Sequence, residues 1–264
     1  MVGTVLKYEF IRTKWAIALG WGFTLLLALI SYGAAHISGV VAGVPIVLGI
    51  IAVAALPFAV QLYLGIHLYR STFGRRGYFE LTVPVKNSTL IATKFLWASL
   101  VSLVSLVVSA VALWLVGKAD AVLGGSTLEI ATRAVSDALS DRPDRGVIAL
   151  VVGLLTYLSM LAQIYFAVVI GSEARFNKSG GFGPVIVYII VYVAMQLIGL
   201  VLLLIPPTYD FIGRTWYWTP PLFTDTSADD AASLPVLVVV GSILLSAVML
   251  WQSLVSVQRR LELR

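Results

Sequence analysis

The chain has 264 residues, a net charge of +5, and 59% AVILMFWYC residues against 12% charged ones. A soluble domain carries roughly 25% charged residues, so too few polar side chains exist here to cover a water-facing surface. A soluble globule, a disordered chain and a coiled coil are excluded. Cysteine is absent, which removes disulfides, thiolate metal sites and Cys nucleophiles. His36 and His67 lie 31 positions apart and cannot form a helical HExxH zinc pair. The expected fold class is an all-α polytopic membrane protein, with one membrane domain over residues 1–264.

Residues 1–14 place Val2, Leu6 and Phe10 at helical spacing among Lys7, Glu9, Arg12 and Lys14. The pattern reads as a short amphipathic helix on the cytoplasmic leaflet; the alternative is a plain extension of the first span. A bilayer core needs about 20 apolar residues in helix. Six stretches without Asp, Glu, Lys or Arg meet that length, at 15–35, 44–68, 95–116, 147–170, 185–205 and 234–257. The first is too long for a signal-peptide apolar region and lacks a cleavage site, so it reads as a retained helix. Pro45 and Pro235 fit first helical turns, and Ser233 fits a cap for the sixth span.

Basic residues set the orientation. With the N-terminus inside, 13 of the Lys and Arg residues fall inside and 5 outside. Both termini are therefore expected to be cytoplasmic. The positive charge reads as this bias rather than as a nucleic-acid surface.

The 70–94 connection, RSTFGRRGYFELTVPVKNSTLIATK, is too apolar for a bare basic loop. Gly74 and Gly77 should break the helix leaving span two, Val83-Pro84 imposes an extended turn, and Asn87 or Ser88 can cap the next helix. The spacing predicts a compact loop offering aromatic side chains to a partner. Outside, Ser126-Thr127-Leu128-Glu129 fits a capping box, and Leu128, Ala131, Val135 and Leu139 follow at helical spacing. A short external helix is expected there, with a solvated turn at 141–145. The 206–233 connection crowds Tyr209, Phe211, Trp216, Tyr217, Trp218 and Phe223 among four prolines. It reads as an interfacial or re-entrant segment, because indole and phenol rings prefer the headgroup region. Asp225, Asp229 and Asp230 read as a solvated acidic run rather than a cation site.

Inside the spans the titratable inventory is thin. His67 is the one such group apart from tyrosines, near the cytoplasmic end of span two. It reads as a packed or interfacial residue, since a His without a carboxylate makes a poor proton relay. Proton- or sodium-coupled transport thus lacks its usual equipment. Span three carries Ala98, Ser102, Ser105, Ser109 and Ala112, a small-residue stripe that lets helices approach closely. Gln61, Thr156, Gln163, Tyr192 and Gln196 add polar groups in spans two, four and five. Two readings stand: helix packing through hydrogen bonds, or the lining of a path. Gly39 and Gly43 match GxxxG but fall in the loop before span two. No phosphate-cradling loop exists: Ala119 follows Gly117-Lys118 where Ser or Thr is needed.

Three stretches resemble bacterial ABC-2 type transporter permeases, which pair with a separate ATPase. They are the lead-in Leu6-Lys7-Tyr8-Glu9-Phe10, the loop YFELTVPVKNSTLIATK over 78–94, and IGSEARFNKSGGF over 170–182. Val83 stands where that family commonly has Leu. The resemblance implies that the amphipathic start is an elbow helix and that the loop after span two carries a coupling helix seated on the ATPase. Phe73, Arg75, Arg76, Tyr78, Phe79, Glu80 and Leu81 would form that docking surface, with aromatic and Arg anchors dominating its energetics. It also implies short external helices between spans five and six, a second permease copy or a related permease in a homo- or heterodimer, and two ATPase copies. ATP and Mg would be bound by the partner, so this chain would hold no cofactor and would not itself be an enzyme. The expected setting is the bacterial cytoplasmic membrane and the expected function is export. A peptide, drug, lipid or ion would all be compatible substrates. Two competitors are a non-transporting sensor or immunity subunit of the same fold and an intramembrane enzyme. Against the enzyme stands the lack of a Gly-x-Ser-x-Gly motif, a His-rich or Asp-rich motif, or paired carboxylates.

Overall fold

The computed structural model describes residues 2–37, 39–74, 86–124, 143–173, 182–210, 215–218, 220 and 233–259. Among them, six helices are long and apolar enough to cross a membrane. They are α1 (Val2–Ala35), α2 (Gly39–Leu68), α3 (Asn87–Val122), α4 (Pro143–Gly171), α5 (Gly183–Leu203) and α6 (Val236–Arg259). Each contains the core of one expected span. This is the architecture of a multi-pass membrane protein.

The ends differ from the hydropathy reading in instructive ways. The separate amphipathic helix expected over 1–14 is not formed; those residues are the opening turns of α1, which runs unbroken for 34 residues. At 1.5 Å per residue it is about 51 Å long, against a hydrocarbon core of about 30 Å. No Gly or Pro interrupts residues 4–19. Continuing the helix also keeps Glu9 and Thr13 on one buried stripe with Ile17, Thr24, Ala28 and Ser31. Helix α2 begins at Gly39, so Gly39 and Gly43 are helical rather than in a loop, and Pro45 and Pro57 both lie inside the helix. Pro143 opens α4 instead of sitting in a turn, a favourable place for a residue without an N–H.

Helix α2 passes into a π-helical turn over Tyr69–Phe73. That turn closes where Gly74 donates its N–H to the Tyr69 carbonyl at 2.8 Å. A Cβ on residue 74 would lie 2.8 Å from the Arg70 carbonyl oxygen, so the helix end expected at Gly74 takes a conformation that glycine fits and a side chain would crowd. Gly77 lies outside the described residues, as do the external helix expected over 126–139 and the run Asp225, Asp229 and Asp230.

The chain divides into two compact units. The first, Met1–His67 with Thr89–Ile148, holds α1, most of α2 and α3. Two indole bonds fix the register of α1 against α3: Trp97 Nε1 donates to Thr13 Oγ1 at 3.1 Å, and Trp21 Nε1 donates to Ser105 Oγ at 2.9 Å, each spanning 84 residues. Equal spans mean that α1 and α3 run parallel and stay in register, while α2 returns between them in sequence. At the far end Ser31 Oγ lies 2.7 Å from the Pro45 carbonyl. There a Cβ on Gly49 would meet Ser31 Oγ at 2.9 Å and Val116 Cγ2 at 3.0 Å. Ala28, Ala34, Ala35, Ala42, Ala112 and Ala119 join Ile46, Val53 and Val116 in the core. Small side chains of this kind let helix backbones approach closely in a bilayer.

The second unit, Leu68–Ser88 with Ala149–Arg264, holds most of α4 together with α5 and α6. Helices α4 and α5 abut at their ends, since a Cβ on Gly171 would lie 2.5 Å from the Pro184 backbone. Ala167, Val187 and Val191 form the core, flanked by Phe166, Ile170, Tyr188, Met195 and Met249. Ser256 Oγ donates to Glu173 Oε1.

The described residues are overwhelmingly helical, as an all-α chain requires, with one small sheet as the exception. The 206–235 connection carries β1 (Thr208–Asp210), β2 (Thr215–Tyr217) and β3 (Ser233–Pro235), an antiparallel sheet of order β2-β1-β3. β-Branched and aromatic residues favour a pleated surface, and Pro206-Pro207 cannot continue α5. The described part of this connection thus holds strands where external helices were implied. Ser233 and Pro235, expected at the start of the sixth helix, form the last strand, which runs directly into α6.

Candidate functional site

The most distinctive chemistry lies in the first unit, where two buried ionisable side chains, Glu9 and Lys94, meet the half-buried His67. Glu9 belongs to the buried stripe of α1, His67 ends the unit's part of α2, and Lys94 sits in the second turn of α3. Glu9 uses one oxygen for each base: Oε2 is 3.0 Å from His67 Nε2, and Oε1 is 3.2 Å from Lys94 Nζ. The Glu9 and Lys94 side chains are 5% and 3% exposed, whereas His67 is 19% exposed. The imidazole is therefore the side of the cluster nearest to solvent. The Glu9 carboxylate and Lys94 ammonium carry opposite charges, and each offsets the other's loss of water.

Aromatic rings lie near the cluster. The Phe10 ring meets Trp97 edge-on at 5.8 Å, and Tyr63 stacks on His67 at 6.2 Å. Thr13 ties α3 to α1 one turn after Glu9: its hydroxyl donates to the Glu9 backbone carbonyl at 2.8 Å and accepts from the Trp97 indole. Burial of the Glu9 and Lys94 side chains lowers the local dielectric and strengthens the bond between them.

This geometry corrects two sequence expectations. His67 does have a carboxylate partner, supplied from the lead-in that the hydropathy windows left out. Lys94, placed just before span three, is inside α3 and buried. The signal available in the sequence was Glu9 falling four residues before Thr13 and eight before Ile17, on the face that continues to Thr24 and Ser31.

Of the residues implied to dock an ATPase, Phe73 ends the π-helical turn and is half-buried. Arg75, Arg76, Tyr78, Phe79, Glu80 and Leu81 lie outside the described residues. The polar residues of the spans fall into two groups. In the first unit Gln61, Ser102, Ser105 and Ser109 are buried, and Ser105 takes the Trp21 bond while donating to the Val101 carbonyl at 2.8 Å. In the second unit Gln163 is half-buried, while Thr156, Tyr192 and Gln196 are exposed. Among the described residues no three His, Cys, Asp or Glu side chains gather as a metal site would require. No protein-family model, curated protein or solved structure matches the chain.

Proposed function

We propose that this chain is the membrane-spanning permease subunit of an ATP-binding cassette exporter of the ABC-2 type, energised by a separate ATPase. The observation that carries the reading is the Glu9–His67–Lys94 cluster. His67 and Lys94 flank the connection expected to meet the ATPase, and Glu9 ties both roots of that connection to α1. A loop that takes force from an outside machine needs rigid roots, because motion dissipates in a loose one. The absence of a phosphate-cradling loop fits energy arriving from a partner. In this reading both termini face the bacterial cytoplasm, and a second copy or related permease completes the path.

Co-purification in mild detergent tests the proposal. The wild-type chain brings down an ATPase carrying a P-loop, and Tyr78→Ala, Phe79→Ala and Glu80→Ala abolish that association while inserting normally. Retention of full coupling by all three variants sinks the assignment of the docking loop. Recovery of the chain with no ATPase at all sinks the permease reading.

The Glu9–His67 contact also favours a second reading, in which the cluster is the proton site of an ion-coupled carrier. Proteoliposomes holding the chain alone separate the two. Solute movement driven by a pH gradient without ATPase supports the carrier, and dependence on ATPase and ATP supports the permease. A sensor or immunity subunit of the same fold gives chain-dependent ATPase activity with no solute movement.

A further inference from the structure

Among the described residues, the sheet between α5 and α6 has an unpaired aromatic edge. Strand β1 is paired on both sides, with β2 and with β3, and β2 has no second neighbour among the described residues. Trp216, Tyr217 and the following Trp218 are 54%, 46% and 76% exposed. Successive strand residues point to opposite faces, so aromatic side chains emerge on both faces of this edge. A protein surface docked on the sheet would cover one face only. A surrounding medium covers both.

The register fixes how far this edge can stand from the membrane helices. Thr208 pairs with Pro235 on one side and Tyr217 on the other, and Pro235 is followed at once by Val236, the first residue of α6. Two strand spacings place Tyr217 about 10 Å from Pro235. The headgroup region is about 5–7 Å deep on each side of the hydrocarbon. An upright sheet would carry β2 past that layer, so only a sheet tilted toward the membrane plane keeps it among the headgroups. Indole and phenol rings combine an apolar body with a polar tip and concentrate at this depth. The Tyr209 ring, 4.9 Å from its cross-strand partner Trp216, stiffens the base of the edge.

We propose that the β2 edge is a lipid anchor, with Trp216, Tyr217 and Trp218 seated among the headgroups at the α5–α6 end and holding these two helix ends at a fixed depth. The anchor rests on the six-span reading but not on the permease assignment.

Spin labelling of the full, naturally cysteine-free chain in phosphatidylcholine–phosphatidylglycerol nanodiscs tests it. One label replaces Trp218 (Trp218→Cys) and a second replaces Leu244 (Leu244→Cys), which is exposed in mid-α6. The Leu244 label should collide with oxygen and hardly at all with a water-soluble nickel chelate. The Trp218 label should meet the chelate several-fold less often than a free nitroxide does in water. Free-nitroxide chelate access at 218 with protection at 244 overturns the anchor alone. Full chelate access at both overturns the six-span reading and the anchor with it. Unlabelled protein gives a second readout, in lipid brominated near the headgroup. The fluorescence difference between the native chain and Trp218→Phe should be quenched, and an unquenched difference overturns the proposal.

Discussion

In the unit of α1–α3, polar side chains bond from helix to helix at several depths: Glu9 to His67 and Lys94, Trp97 to Thr13, Trp21 to Ser105, and Ser31 to the Pro45 carbonyl. In the unit of α4–α6 the hydroxyls mostly turn back on their own helix. Ser159, Ser172, Ser246 and Ser253 each donate to the carbonyl four residues earlier. Ser256 to Glu173 is the cross-helix exception among the bonds described there. Helix α5 buries only Gly183, Pro184, Val187 and Val191. Lipid offers no hydrophobic push between helices, so close packing and polar bonds must hold them together. Hydroxyls turn back on their own helix in both units; among the bonds described, it is the first unit that adds several fasteners from helix to helix.

The contrast fails most visibly if its strongest fastener can be removed without loss. Glu9→Gln leaves the buried Lys94 ammonium without its carboxylate, which should cost about 3–5 kcal/mol. Adding Lys94→Met removes the stranded charge and should recover most of that stability. Ser256→Ala in the other unit should cost about 1 kcal/mol. Thermal unfolding in detergent ranks the three, and equal losses from Glu9→Gln and Ser256→Ala would break the distinction.

Glycine substitutions sharpen it next. Gly171→Ala drives a methyl against the Pro184 backbone, which cannot rotate aside, and should cost about 3 kcal/mol. Gly49→Ala meets the ends of Ser31 and Val116, which can yield, so about 1 kcal/mol is expected. Gly153→Ala has nothing within 4 Å and should be neutral by the same melting measurement.

The smallest effects test the individual hydrogen bonds. Trp21→Phe keeps the ring but loses the donor to Ser105, at about 0.6 kcal/mol. Gln196→Leu, on an exposed face of α5, should leave melting of the isolated chain unchanged. Any loss should appear instead in self-association, read by cross-linking in membranes.

The six helices were legible because about 20 uncharged apolar residues leave few alternatives to a span. The break at Gly74 was legible for the same local reason. The ion cluster was hidden by the criterion that found the spans. Stretches chosen for lacking charge leave out both Glu9 and Lys94, and the pairing of Glu9 with His67 bridges 58 residues, a separation that no local pattern encodes. The small sheet was hidden by length, since three-residue strands show too little alternation to distinguish from a proline-rich loop. The polar residues of spans two to five were visible as residues, but whether each faces a neighbouring helix depends on register. Ser105 and Gln196 look alike in sequence and end up oppositely placed.

The parallel register of α1 and α3 also has a consequence in time. The partners that α3 supplies are made 84 residues after the α1 residues they bond. At 5–20 residues per second, that is roughly 4–17 seconds of synthesis. During that interval α1 can pair only with α2, and Glu9 can meet His67 but not yet Lys94. The nascent hairpin therefore waits with the Glu9 carboxylate at its base lacking the Lys94 ammonium, and the arrival of Lys94 completes the ion pair. Slowing or pausing synthesis between residues 68 and 94 would prolong that exposed state, which makes this stretch of the message a sensitive point for biogenesis.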